Sequence, residues 1–148
     1  MNPIQDPVFR AYVVSAAVLG MNLVVLANLT AVTRARHDEV VNPEDHRLNP
    51  TAAVVYDGGN DVTARYRRAH RNALENVPLF LVTGLLLALV GPPPALAYGL
   101  FAGFVVLRLL HSVAYLRQLQ PWRTVTFAVS ALVQVAILAT LVWCTFAG

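Results

Sequence analysis

Four long apolar stretches dominate the chain, and the polar positions between them mark where it turns. They run from about Val8 to Thr33, Asn72 to Val90, Ala95 to Leu116 and Val125 to Phe146. A helix needs roughly 20 apolar residues to cross a bilayer core, so each stretch is long enough. Asp6-Pro7 starts the first helix, with an acidic N-cap and a proline at the first helical position. The apolar region that follows far exceeds the roughly 7–15 residues of a cleaved signal peptide, which excludes that reading. Gly91-Pro92-Pro93-Pro94 ends the second helix and starts the third, and Pro121 separates the third from the fourth. Pro78 falls inside the second helix and is expected to kink it. Helices are thus expected at about 7–36, 61–90, 94–119 and 122–146 of a single domain covering 1–148. The last three are joined by links so short that they must be antiparallel neighbours. The one long connection, about 37–60, contains the turn Tyr56-Asp57-Gly58-Gly59-Asn60. Asp61 is the expected N-cap of the second helix, which starts before the membrane. A connection of that length in a compact protein usually carries function.

Composition narrows the class. Of 148 residues, 57% are hydrophobic and 13% are charged, against about 25% charged in average soluble chains. This excludes an ordinary soluble domain and a disordered chain. One cysteine excludes a disulfide scaffold, and Cys144 reads as a small apolar residue. The expected fold is an all-α integral membrane protein, a bundle of four transmembrane helices.

The net charge of +3 comes from eleven basic residues that are all arginine. Arginine binds carboxylates bidentately, which lysine does not. Arg34, Arg36, Arg47, Arg65, Arg67, Arg68 and Arg71 flank the long loop, and Arg117 and Arg123 flank the last link. The other side of the bundle holds only Arg10. The positive-inside rule then puts loops 1 and 3 in the cytoplasm and both termini on the opposite side.

Ionisable residues at membrane depth are costly and mark function by default. On the second helix, Arg68, Arg71, Asn72 and Glu75 fall within roughly a 100° arc. On the third, Arg108, His111 and Tyr115 fall within about 60° of one another, and Arg108 lies about two turns inside the helix end. Arg34 ends the first helix, and Arg123-Thr124 start the fourth at the same level. The combined face has an excess of guanidinium groups that calls for an anionic ligand. It opens to water and to lipid, so a polar anionic substrate and a lipophilic one are expected.

Blander roles fit some of these residues. Arg65, Arg67 and Arg117 read as membrane anchors, and His70 as an interfacial structural residue. Tyr115 also fits an aromatic belt, and Glu75 with Arg108 also fits a structural ion pair. Asn22, Asn28 and Gln134 read as interhelical hydrogen-bonding groups. His37 and His46 lack metal-ligand spacing, and no metal is expected. No nucleotide-binding or nucleophile-elbow motif is present, and no nucleic-acid partner is expected.

The run Arg68-Ala-His-Arg-Asn-Ala-Leu-Glu-Asn-Val-Pro78 resembles the second-helix signature of the MAPEG superfamily, membrane-associated proteins of eicosanoid and glutathione metabolism. Asn42-Pro43-Glu44-Asp45, Arg108-Leu-Leu-His-Ser-Val-Ala-Tyr115 and Pro121-Trp-Arg-Thr124 resemble it too, in the family's order. The resemblance covers all four helices and is nearest to the branch of prostaglandin E synthases and microsomal glutathione transferases. It implies a homotrimer with glutathione in clefts between subunits. By position, Arg34, Arg68, Arg71, Asn72, Glu75, Arg108, His111 and Tyr115 would hold glutathione. Arg123 and Thr124 would serve its sulfur, and Asp45 matches an acidic residue tied to prostaglandin isomerisation. The chain departs from the synthase pattern at Thr124 and Phe127, where that pattern has Ser and Tyr. The segment between Tyr115 and Arg123 is also one residue shorter.

The function expected is therefore a glutathione-dependent membrane transferase or peroxidase acting on lipophilic electrophiles or hydroperoxides from the bilayer. The alternatives are a prostaglandin-endoperoxide-type isomerase and, in another class, a scaffold or organic-anion transporter. A transporter needs polar groups along a whole path, and here they cluster at one end.

Overall fold

The computed structural model describes residues 5–147. In chain order it has α1 (Pro7–Arg36), β1 (Glu39–Val40), a 3-10 turn (Pro43–Arg47), β2 (Ala53–Val54), α2 (Asp61–Val90), α3 (Pro94–Leu116) and α4 (Trp122–Ala147). All four α-helices are long and apolar enough to cross a membrane. The protein is a multi-pass helical membrane protein whose outward faces carry side chains such as Val14, Met21, Val82 and Leu132.

Local chemistry sets the helix ends. Asp6 Oδ1 accepts from Val8 N at 2.8 Å and from Phe9 N at 2.9 Å, so the expected cap of α1 forms. The cap of α2 is Asn60, whose side chain accepts from Val62 N at 2.9 Å, and not Asp61. Gly58 and Gly59 both have positive φ and turn the chain early enough for Asn60 to take the capping place. Asp61 lies in the first turn instead, where its charge faces the positive end of the helix. α3 stops at Leu116, three residues before the expected end at 119. Gln118 is left-handed, with φ 61°, and the Leu119 N–H closes back on the Ala114 carbonyl at 2.9 Å. A left-handed residue closed in this way terminates a helix.

The connection after α1 is more ordered than its sequence suggests. β1 and β2 pair in parallel, Glu39 with Ala53 and Val40 with Val54. The Asn42 N–H donates to Asp45 Oδ2 at 3.2 Å, which closes the 3-10 turn. Glu39 is buried, and its carboxylate accepts from the Asn60 N–H, which ties the start of this connection to the start of α2. Gly59 is required there, since a Cβ would lie 2.8 Å from both Glu39 carboxylate oxygens.

The core sits in the half of the bundle away from this connection. Phe80 stacks on Phe104 with ring centroids 4.7 Å apart, and Phe101 meets Phe80 edge-on. Tyr12 of α1 packs on the same rings and donates its hydroxyl to Leu81 O at 2.9 Å. Hydrogen bonds also link the helices, from Asn22 Nδ2 to Ser112 Oγ at 3.2 Å and from Gln134 Nε2 to Thr83 Oγ1 at 2.9 Å. Asn28 departs from the expected interhelical role. It is exposed, and its amide donates to Val24 O of its own helix at 2.8 Å.

Candidate active site

The buried face of α3 changes chemistry along its length. Ala97, Phe101 and Phe104 face the aromatic core, and the same stripe continues as Arg108 and His111. Helical spacing therefore carries a guanidinium and an imidazole into the interior. Arg108 is 1% exposed. Its Nη2 donates to Asn72 Oδ1 at 2.5 Å and lies 3.4 Å from Asn72 O, and its Nη1 reaches Ser130 Oγ at 3.5 Å. The Arg108 Nε has no hydrogen-bond partner among the described residues. The expected ion pair with Glu75 does not form among these residues, because Glu75 is exposed on α2 while Arg108 turns inward onto Asn72. A buried cation supported only by neutral groups favours a nearby anion.

His111 fixes the start of α4. Its Nδ1 donates to the Arg123 carbonyl at 3.0 Å, since that oxygen can only accept, and Thr126 Oγ1 lies 3.3 Å from the same nitrogen. The Arg123 guanidinium lies over the Tyr115 ring, 4.9 Å from its centroid. With its amide oxygen toward Arg123, Gln120 accepts from Nη2 at 2.7 Å and donates to Thr124 Oγ1 at 3.2 Å. These contacts gather Asn72, His111, Tyr115, Arg123, Thr124 and Phe127 around one cavity of about 250 Å³. Tyr115 therefore lines a cavity and stacks on a cation.

The remaining expected site residues lie elsewhere on the chain. Arg68 and Arg71 line a cavity of about 370 Å³ with Asp57, Gly58 and Arg67. Arg34 and Asp45 line another of about 260 Å³ with Glu39 and Leu48. The fold thus brings together Asn72, His111, Tyr115, Arg123 and Thr124, sets Arg108 against Asn72, and keeps Arg34, Asp45, Arg68, Arg71 and Glu75 outside that cavity.

Several partners are new. Thr126 and Ser130 join Gln134, the expected interhelical hydrogen-bonding residue, in a buried polar stripe on α4 at four-residue spacing, a signal present in the sequence. Asp57 pairs with Arg67 and Arg71, and only the fold reveals it, since ten or more residues separate them. Arg67 is more than a membrane anchor for the same reason.

The MAPEG family model matches residues 12–143 of the chain. The protein belongs to the MAPEG family. It is 38% identical over 127 residues to microsomal glutathione S-transferase 1 of Homo sapiens, covering 84% of this chain and 82% of that protein. To the prostaglandin E synthase of Homo sapiens it is 31% identical over 139 residues, covering 93% and 90%. The microsomal glutathione S-transferase 1 of Sus scrofa is 35% identical over 126 residues, covering 83% and 81%. The family resemblance drawn from the four sequence motifs holds, and both branches named there recur among these relatives. The MAPEG match begins at Tyr12 of α1 and ends at Trp143 of α4, so it includes every residue of the Arg123 cavity.

Proposed function

We propose that this MAPEG protein is a membrane glutathione transferase that presents a glutathione thiolate to lipophilic electrophiles. The observation that carries this reading is the Arg123 cavity, which joins a guanidinium, two hydroxyls and an imidazole beside Arg108, which has no acidic partner among the described residues. Glutathione has two carboxylates, an amine and a thiol, and suits this donor set. A free thiol has a pKa near 8.5 and is mostly protonated at neutral pH. A guanidinium within hydrogen-bond reach favours the charged sulfur. Arg123 acts here as a fixed positive charge, because arginine does not give up its proton. The thiol proton leaves to solvent, and the thiolate attacks an electrophilic carbon and expels its leaving group. With a hydroperoxide, the thiolate attacks one peroxide oxygen. The O–O bond breaks to give a sulfenic acid and an alkoxide, which takes a proton from solvent to leave as the alcohol; a second glutathione converts the sulfenic acid to disulfide and water.

The functional unit in this reading is a homotrimer with sites at subunit boundaries. The separation of Arg34, Asp45, Arg68 and Arg71 from the Arg123 cavity supports it, since a neighbouring subunit can bring these groups to one ligand. Exposed Glu75 would then meet the glutathione amine at such a boundary. The arginine distribution supports loops 1 and 3 in the cytoplasm and both termini opposite. A second reading, isomerisation of a prostaglandin-type endoperoxide, is favoured by Asp45 sharing a cavity with Arg34 and by a relative named prostaglandin E synthase. In either case the lipophilic substrate arrives from the bilayer.

The test is turnover by purified protein in detergent or lipid, with glutathione and a lipophilic electrophile. Thioether formation that saturates with glutathione is the expected result. A rate equal to the uncatalysed one, with hydroperoxide and endoperoxide substrates equally inert, would return the scaffold reading.

A further inference from the structure

The connection between α1 and α2 carries a carboxylate that the thiol chemistry does not use. Asp57 Oδ1 lies 3.4 Å from Arg67 Nη1 and 3.8 Å from Arg71 Nη2. The Asp57 side chain is 83% exposed, that of Arg71 is 61% exposed, and that of Arg67 only 19%. Arg67 Nη1 also lies 3.3 Å from the Tyr56 carbonyl, which it contacts as a donor. Arg67 is therefore the post that holds this turn against α2, and Arg71 is the group Asp57 merely reaches.

The turn is anchored at both ends. Before it, the Val55 N–H donates to Val40 O at 2.7 Å. After it, the Asn60 N–H donates to the buried Glu39 carboxylate. Between these anchors Gly58 and Gly59 have φ of 87° and 81°. The result is a short strap, closed over a cavity of about 370 Å³ whose other lining includes Arg67, Arg68 and Arg71. Three guanidinium groups crowd one end of α2, and the strap supplies the carboxylate that a bound anion would otherwise supply.

We infer that Asp57 is a built-in competitor for the ligand carboxylate at Arg71, so that the Tyr56–Asn60 strap sets the affinity of the site for anions. The inference rests on the proposal above that Arg71 belongs to the glutathione site. A ligand carboxylate that approaches Arg71 meets Asp57 as a like charge and must displace it. A neutral ligand makes no claim on Arg71 and is not opposed by Asp57, so the strap weakens binding only of carboxylate-bearing thiols. The contact between Asp57 and Arg71 is long and exposed. Exposed pairs of this kind are weak, so the strap yields to a ligand, and its removal should tighten binding by about two- to fivefold.

The test compares wild type with Asp57→Asn, which keeps the side-chain shape and removes the charge. Glutathione binding is measured by equilibrium dialysis on purified, full-length protein. The expected Kd for Asp57→Asn is about two- to fivefold lower at low salt, with the gap closing at high salt as the competing charge is screened. The same change made on Arg71→Gln should leave Kd unmoved, because the contested guanidinium is gone. Should the Asn variant elute from size exclusion unlike wild type, Asp57→Ser carries the same comparison. An unchanged or raised Kd for a folded Asp57 variant, or a gain that persists on Arg71→Gln, would overturn the inference and leave the glutathione reading intact. Absence of glutathione binding by wild type would overturn both.

Discussion

Arg123→Ala is expected to lower turnover by about 10²–10³-fold, the usual cost of losing one well-placed electrostatic donor. The loss should fall mainly on kcat. In the proposed site the Arg123 charge acts on the sulfur, while the two carboxylates of glutathione would be held by other guanidinium groups. The fold should survive, since the His111 bond is made to the Arg123 backbone carbonyl, which alanine keeps. Arg123→Lys should recover only part of the rate, because a point charge lacks the planar fork that stacks on Tyr115 and meets Gln120. Steady-state kinetics across glutathione concentrations decide the matter. Near-normal turnover by the alanine variant would remove Arg123 from the chemistry.

Mixing two inactive variants should restore activity. In one subunit Arg34 and Arg123 line different cavities, and the proposed site takes each from a different subunit of a homotrimer. Arg34→Ala and Arg123→Ala are each expected to be nearly inactive alone. Co-expressed at equal levels, they should rebuild about one site in four, because each required arginine is present with probability one half. Two affinity tags confirm that mixed trimers form. If both arginines served a site from one subunit, no mixture could rebuild it, and mixed trimers without recovered activity would sink the shared site.

The helices were legible because their signals are local. Apolar length, the Asp6-Pro7 start and the proline breaks at 92–94 and 121 each act within a few residues. α3 ends before its apolar pattern does because a left-handed glutamine stops it, and nothing in the type of Gln118 demands that conformation. The strand pair after α1 leaves no signal in the sequence, because two residues per strand show no period. At the site, helical spacing correctly put Arg108, His111 and Tyr115 on one inward-leaning face. It could not choose a partner for Arg108. Glu75 and Asn72 lie on one arc of α2, and only the packing of α2 on α3 decides for the amide. Asp57 was invisible for a related reason, since its partners lie across a turn whose course depends on two positive-φ glycines.

A site that holds glutathione as a thiolate has a direct optical signature. Near-ultraviolet difference absorbance on adding glutathione to purified protein tests for it most directly. The expected result is a thiolate band at neutral pH that saturates with glutathione, is much reduced in Arg123→Ala, and disappears when the thiol is replaced by a methyl thioether. Saturable glutathione binding without any thiolate band, or a band of full size in Arg123→Ala, would contradict the proposed thiolate site.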